Sequence, residues 1–117
     1  MRVLVADDAP LARSILARLI VAAGHEVAAE AHDAPSLYER VATVRPNLVI
    51  VDGRLPPAGA LEAVRTLRAG GADAPILVAT ALGELELLRA ALAAGASGGL
   101  PRPFLRSQVE EALRRYA

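Results

Sequence analysis

Five residues of this chain have the types and the placement to do chemistry together: Asp7 and Asp8, Asp52, Thr80 and Arg102. Each stands just past a short apolar run. Asp52 is the clearest case, because Leu48-Val49-Ile50-Val51 leads straight into it and Gly53 follows. An unbroken run this short suits a strand buried on both faces, the kind found in a parallel sheet flanked by helices. A carboxylate directly after such a strand sits at its carboxyl end, where open α/β sheets place their ligands. Val3 to Ala6 runs in the same way into Asp7-Asp8, and Pro75 to Ala79 into Thr80. The weaker segment Ser97 to Leu100 is followed by Pro101-Arg102-Pro103. If these strands are parallel, all five residues share one edge.

Three carboxylates gathered there repel one another and need a cation. Oxygen ligands without His or Cys favour a hard ion such as Mg²⁺, which takes one or two carboxylates and keeps several waters. A metal, a hydroxyl and a guanidinium together suit a phosphoryl group, whose oxygens they neutralise and hydrogen-bond. A carboxylate can itself be the nucleophile and form an aspartyl-phosphate.

The elements that position these residues alternate regularly. From Leu11 the apolar positions Leu11, Ile15, Leu16, Leu19 and Ile20 follow a helical period, with Asp8 as a plausible N-cap, Pro10 in the first turn and Gly24 as the stop. Glu26 to Glu30 reads as a short strand. Pro35 to Val44 reads as a helix with Leu37, Val41 and Val44 inward, closed by Arg45-Pro46. Leu61, Val64, Leu67 and Arg68 mark a third helix stopped by Gly70-Gly71. Glu84 to Ala94 is a fourth, ended by Gly95, and Phe104 to Tyr116 a fifth, with Leu105, Val109, Leu113 and Tyr116 inward. Five strands alternating with five helices argue an α/β, doubly wound parallel sheet covered on both faces.

The bulk composition narrows the function classes. At 117 residues the chain is expected to be one domain spanning 1–117. Thirteen basic residues, all arginine, balance thirteen acidic ones, which gives no support for direct nucleic-acid binding. There is no cysteine, so disulfides and thiolate metal sites are excluded. The four apolar residues near the N-terminus are too few for a signal peptide, and no run approaches a membrane span. A cytoplasmic protein without a membrane partner is expected.

The constellation resembles the receiver domain of two-component response regulators, particularly the single-domain chemotaxis (CheY-like) type. The resemblance covers essentially the whole chain. It rests on V-L-V-A-D-D at 3–8, L-V-I-V-D at 48–52, Pro56 four residues after Asp52, Leu61-Glu62, V-A-T-A at 78–81, A-G-A-S-G at 94–98 and P-R-P-F at 101–104. It implies a flavodoxin-like (βα)5 fold with sheet order 2-1-3-4-5, and a histidine kinase or phosphotransfer protein that passes phosphate to Asp52. Asp7, Asp8, Asp52 and the backbone carbonyl of Arg54 would hold Mg²⁺, and Thr80 would be the switch hydroxyl. Arg102 stands where the family has a lysine, and Arg102-Pro103 would be its cis peptide. The implied role is a signalling switch rather than an enzyme with a separate substrate. The face made by the fourth helix, fifth strand and fifth helix would dock a downstream protein or a dimer mate.

Three residues depart from the family pattern. Arg102 offers a planar fork in place of a compact ammonium, and the two are not interchangeable at a tight site. Gly99 replaces a Tyr or Phe whose ring turns inward, so any signal must pass through backbone motion of the neighbouring loops. Arg54 is placed to reach over a phosphoryl group or hinder an attacking water. Two rival functions follow: a pseudo-receiver that binds proteins without phosphate, and a small Mg²⁺-dependent phosphatase, for which no substrate-pocket motif is present.

Other features have plainer readings. His25 and His32 are expected on surface segments around the second strand, far from the acidic edge. Gly70-Gly71 and Gly98-Gly99 read as turns, since neither matches a phosphate-cradling pattern. The fourth helix is the exception. Leu85, Leu87, Leu88 and Leu92 leave few polar positions, so an apolar patch involving Leu85, Leu88, Leu92 and Gly99 is expected to mark a partner surface.

Overall fold

A computed structural model describes residues 1–117. The elements run β1 (Arg2–Ala6), α1 (Pro10–Ala22), β2 (Glu26–Ala31), α2 (Ala34–Val44), β3 (Leu48–Asp52), α3 (Ala60–Ala69), β4 (Ile76–Thr80), α4 (Leu85–Ala94), β5 (Gly98–Pro101) and α5 (Arg106–Tyr116). All strand pairings are parallel, and the sheet order is 2-1-3-4-5. This is the doubly wound α/β architecture expected from the alternation, with the flavodoxin-like strand order that the resemblance implies. No helix is long and apolar enough to cross a membrane.

The period-two alternation of the strands splits the core into two clusters. Leu4, Ala6, Val49, Val51, Ile76 and Val78 face α2, α3 and α4. Val3, Val5, Leu48, Ile50, Leu77 and Leu100 face α1 and α5, meeting Leu16, Ile20, Val109 and Leu113. Successive strand side chains point to opposite faces, so a continuous Val/Ile/Leu strand feeds both layers at once. β3 and β4 are buried along their whole length, which is why their ends are firm places to mount a site.

Several local expectations are corrected. Ala9, not Asp8, is the N-cap of α1, because Asp7 turns back to bond the Ala9 N–H instead. α1 ends at Ala22 with Ala23 as its cap, and Gly24 follows at φ 89° as the turn into β2. Leu11 and Ile15 are exposed, as is Leu105, which lies ahead of α5 rather than in it. Gly98 and Gly99 are not a turn; they lie within β5. His25 lies at the amino end of β2, its Nδ1 within 2.9 Å of the N-terminal amine. His32 lies just beyond the carboxyl end of β2, on the same sheet edge as the acidic residues, rather than far from it.

The glycines of β5 have a packing reason. A β-carbon on Gly98 would lie 3.0 Å from the Tyr116 hydroxyl, and one on Gly99 would lie 2.9 Å from Leu88 Cδ1. α5 and α4 therefore close on opposite faces of a strand stripped of its own side chains.

Candidate acidic site

The acidic residues converge as the topology requires. β1 and β3 are neighbours in the sheet, so the residues past their ends stand side by side. Asp7, Asp8 and Asp52 each place a carboxylate oxygen within 4.8 Å of the others. Asp7 and Asp52 are buried, whereas Asp8 is exposed. Asp8 makes no hydrogen bond within the chain, which leaves its carboxylate available to an outside ligand.

Two contacts fix the β1 end. Asp7 Oδ1 accepts the Ala9 N–H at 2.9 Å, and Arg13 Nη1 donates to the Asp7 carbonyl at 2.7 Å. Arg13 Nε also pairs with Glu30 of β2 at 3.0 Å. Arg13 thus ties the acidic loop to α1 and to the edge strand. A helical period shows which residues face inward but not which long cation bends back to a carbonyl, so this role was not readable from the sequence.

On the other side stand Thr80 and Arg102. Thr80 is buried, and its hydroxyl makes no hydrogen bond within the chain. Its carbonyl accepts the Arg102 N–H at 2.8 Å, tying the residue after β5 to the end of β4. Arg102 Nη2 forms an ion pair with Asp52 Oδ1. The guanidinium carbon lies 5.8 Å from the centre of the Phe104 ring, within cation–π range. Arg102 Nε is buried without an acceptor. The Arg102-Pro103 peptide is cis, as is Pro56-Pro57.

The donor set fits a hard divalent cation. Three carboxylates meet with no nitrogen or sulfur ligand among them, and the Arg54 carbonyl accepts no hydrogen bond from the chain. The Arg54 side chain pairs with Glu84 rather than with Asp52. Its Nε lies 3.7 Å from Glu84 Oε2 at the start of α4, and its side chain is largely exposed. Spacing marks Glu84 only as a helix start; its bonds to the β3 and β4 loops have no signature there.

The apolar face of α4 is open. Only Ala91 of this helix is buried, while Leu85 and Leu92 are exposed and Leu82 in the preceding turn is wholly so. Leu88 is half-buried against Gly99. Leu55, in the loop after β3, is fully buried and joins the core on the α2–α4 side. That burial also was not evident from a loop rich in proline.

Comparison with known proteins agrees with this geometry. Residues 3–114 match the response regulator receiver domain family. The chain is 33% identical over 116 residues to the chemotaxis protein CheY of Thermotoga maritima, covering 99% of this chain and 97% of that protein. It is 39% identical over 115 residues to the response regulator MprA of Mycobacterium avium, covering 98% of this chain and 49% of MprA, about half that relative's length. Among solved structures, the signal receiver domain of the putative response regulator NarL from Mycobacterium tuberculosis superposes with a TM-score of 0.90 at 27% identity, over 97% of this chain and 93% of that one. With the sheet order, the acidic cluster and the matched residues in agreement, this chain belongs to the receiver domains of the two-component response regulators.

Proposed function

We propose that Asp52 accepts a phosphoryl group from the phosphohistidine of a histidine kinase or phosphotransfer protein. The observation that carries this reading is the position of Asp52: buried at the end of β3, with two further carboxylates within 4.8 Å and a guanidinium paired to one oxygen. In the transfer, a carboxylate oxygen of Asp52 attacks phosphorus, the phosphorus–nitrogen bond breaks, and the electron pair returns to the imidazole. Asp7, Asp8, Asp52 and the Arg54 carbonyl would hold Mg²⁺, which when bound neutralises charge on the phosphoryl oxygens. Arg102 supplies further positive charge at the same oxygens, and its unpartnered Nε is a donor left for an anion. The Thr80 hydroxyl, free of other bonds, donates to a phosphoryl oxygen and draws the loop after β4 with it.

The output is a change in protein affinity at the face of α4, β5 and α5, where Leu85, Leu88, Leu92 and Gly99 lie. Its occupant is a downstream protein or a dimer mate. The domain acts as a cytoplasmic signalling switch whose only chemistry is its own phosphorylation and dephosphorylation.

Incubation with Mg²⁺ and acetyl phosphate tests the reading. Wild type should gain the mass of one phosphoryl group and Asp52→Ala should not; equal behaviour of the two would sink it. A second reading is favoured by one observation. Arg102 already occupies an Asp52 oxygen, so a pseudo-receiver that binds its partner without phosphate would keep this pair permanently. Wild type beside Arg102→Lys separates them: a switch should gain phosphate in both, whereas a pseudo-receiver held by this pair should gain it only in Arg102→Lys.

A further inference from the structure

Glu84 closes the turn between β4 and α4 with its own side chain. Its Oε1 accepts the Ala81 N–H at 2.6 Å, and its Oε2 lies 3.7 Å from Arg54 Nε. One carboxylate therefore holds a donor from the β4 side of the site and a cation from the β3 side. Both are among the first polar groups past the strand ends: Ala81 follows Thr80, and Arg54 stands two residues after Asp52. Asp52 is in register with Ala79, so the two loops leave the sheet side by side. The Ala81 N–H and the Arg54 guanidinium have no other partner in the chain.

Packing brings the same loops against α4. Gly53 is buried, and a β-carbon there would lie 2.9 Å from Leu87 Cδ2 and 3.0 Å from the Ala79 carbonyl. Within the turn, one backbone bond, from the Glu84 N–H to the Ala81 carbonyl at 3.2 Å, is what else holds it. Leu82 is wholly exposed, and Glu84 is the N-cap of α4 without a side-chain bond to the helix. Its carboxylate is thus the tie between this turn and the two loops.

We propose that the Glu84 carboxylate is an internal stand-in for the phosphoryl group, occupying the Ala81 N–H and the Arg54 guanidinium until a phosphoryl group on Asp52 displaces it and frees the first turn of α4. The inference rests on the phosphorylation of Asp52. Its physical basis is competition between anions for the same donors. A phosphoryl group brings up to about two negative charges and three strong acceptor oxygens, against one charge on Glu84. Arginine pairs with phosphate in a bidentate fork that a single carboxylate oxygen at 3.7 Å does not match. Like-charge repulsion pushes Glu84 the same way. A carboxylate that leaves takes with it the side-chain tie between the turn and the two loops, and leaves the turn to its single backbone bond.

The test is a beryllofluoride titration of wild type, Glu84→Gln and Glu84→Ala at fixed Mg²⁺, followed by the amide NMR signals of Leu85 to Leu88, with Asp52→Ala as the blank. Glu84→Ala should half-saturate at about threefold to tenfold lower beryllofluoride, the range for one partly exposed charge-assisted hydrogen bond. Its unliganded first-turn signals should already lie toward the bound positions of wild type. Glu84→Gln, which keeps an acceptor for Ala81 but loses the charge, should fall between and also controls for folding. An Asp52-dependent response whose midpoint is the same or higher in Glu84→Ala overturns the inference alone. No response in wild type beyond that of Asp52→Ala overturns the phosphorylation reading, and the displacement with it.

Discussion

Leu88 of α4 brings its Cδ1 to 2.9 Å from where a β-carbon on Gly99 of β5 would stand. The helix, not the strand, supplies the side chain at this point. The space an aromatic ring would need beside β5 is already filled from the opposite element. Helix and strand are therefore packed here as one contact, and any shift of α4 would be felt directly by the β5 backbone.

Restoring an aromatic residue at this position should be costly. Gly99→Tyr forces Leu88 aside, and overpacking of this kind destabilises by about 1–3 kcal/mol. Leu88→Ala in the same chain should recover most of that loss. Urea unfolding of both single variants and the double variant checks it, with strong non-additivity expected because the residues touch. Additive losses would mean that the two side chains do not compete for one space.

Metal should act through Asp8 without help from the fold. Asp8 is exposed and unbonded in the chain, so Asp8→Ala should leave stability in EDTA unchanged or slightly higher as repulsion falls. Wild type should gain thermal stability with Mg²⁺, about 1.4 kcal/mol at roughly ten times the dissociation constant. The variant should gain much less. Thermal scans with and without Mg²⁺ decide, and an equal gain in both proteins would remove Asp8 from the ligand set.

Arg68 is a structural arginine at the opposite end of the sheet. Its Nε donates to the Gly95 carbonyl at 3.0 Å, and its Nη1 to the Ala72 and Ala74 carbonyls at 2.7 and 2.9 Å. It joins the end of α4 to the loop between α3 and β4. Arg68→Met should cost about 2–4 kcal/mol, since three carbonyls lose a charged donor. The beryllofluoride midpoint should not move. Chemical denaturation and the titration together check this, and a stability near wild type would show that water replaces the guanidinium.

Asp33 gives a pH signature. It caps α2, accepting the Ser36 N–H at 2.9 Å in a capping box, and the hydrogen bonds from Ser36 hold its carboxyl below the ordinary value of 3.8. A carboxyl depressed in the folded state adds stability above its unfolded pKa and loses it as pH falls through the folded one. Asp33→Ala should therefore be less stable than wild type at neutral pH, with the gap closing only below about pH 3.8. A gap that persists unchanged into stronger acid would assign the effect to something other than the carboxylate.

The centre of the site was legible because apolar runs ending in Asp7, Asp52 and Thr80 are also strands ending at one edge. Five such runs alternating with helical stripes leave little freedom in topology. What escaped the sequence was the work of long side chains. Arg13, Arg68 and Glu84 each bond backbone groups distant in sequence or in a neighbouring turn, and no periodicity encodes that reach. The apolar stripe also over-read helix ends. Leu11 and Leu105 fit the period, yet they lie where an element begins beyond the cover of its neighbours. Spacing brings Arg54 close to Asp52 but does not show that Glu84 offers its guanidinium a carboxylate.

Arg13 grips the Asp7 carbonyl with one nitrogen and Glu30 of β2 with another. An acidic pair hung only on its own loop would spread until its charges were comfortable. Here the loop is moored to a helix and to the outermost strand, so the crowding of the carboxylates is borne by the sheet as a whole. The carboxylates are consequently placed side by side by the fold itself, so that a ligand meeting them would find the loop already anchored rather than assemble it from slack parts.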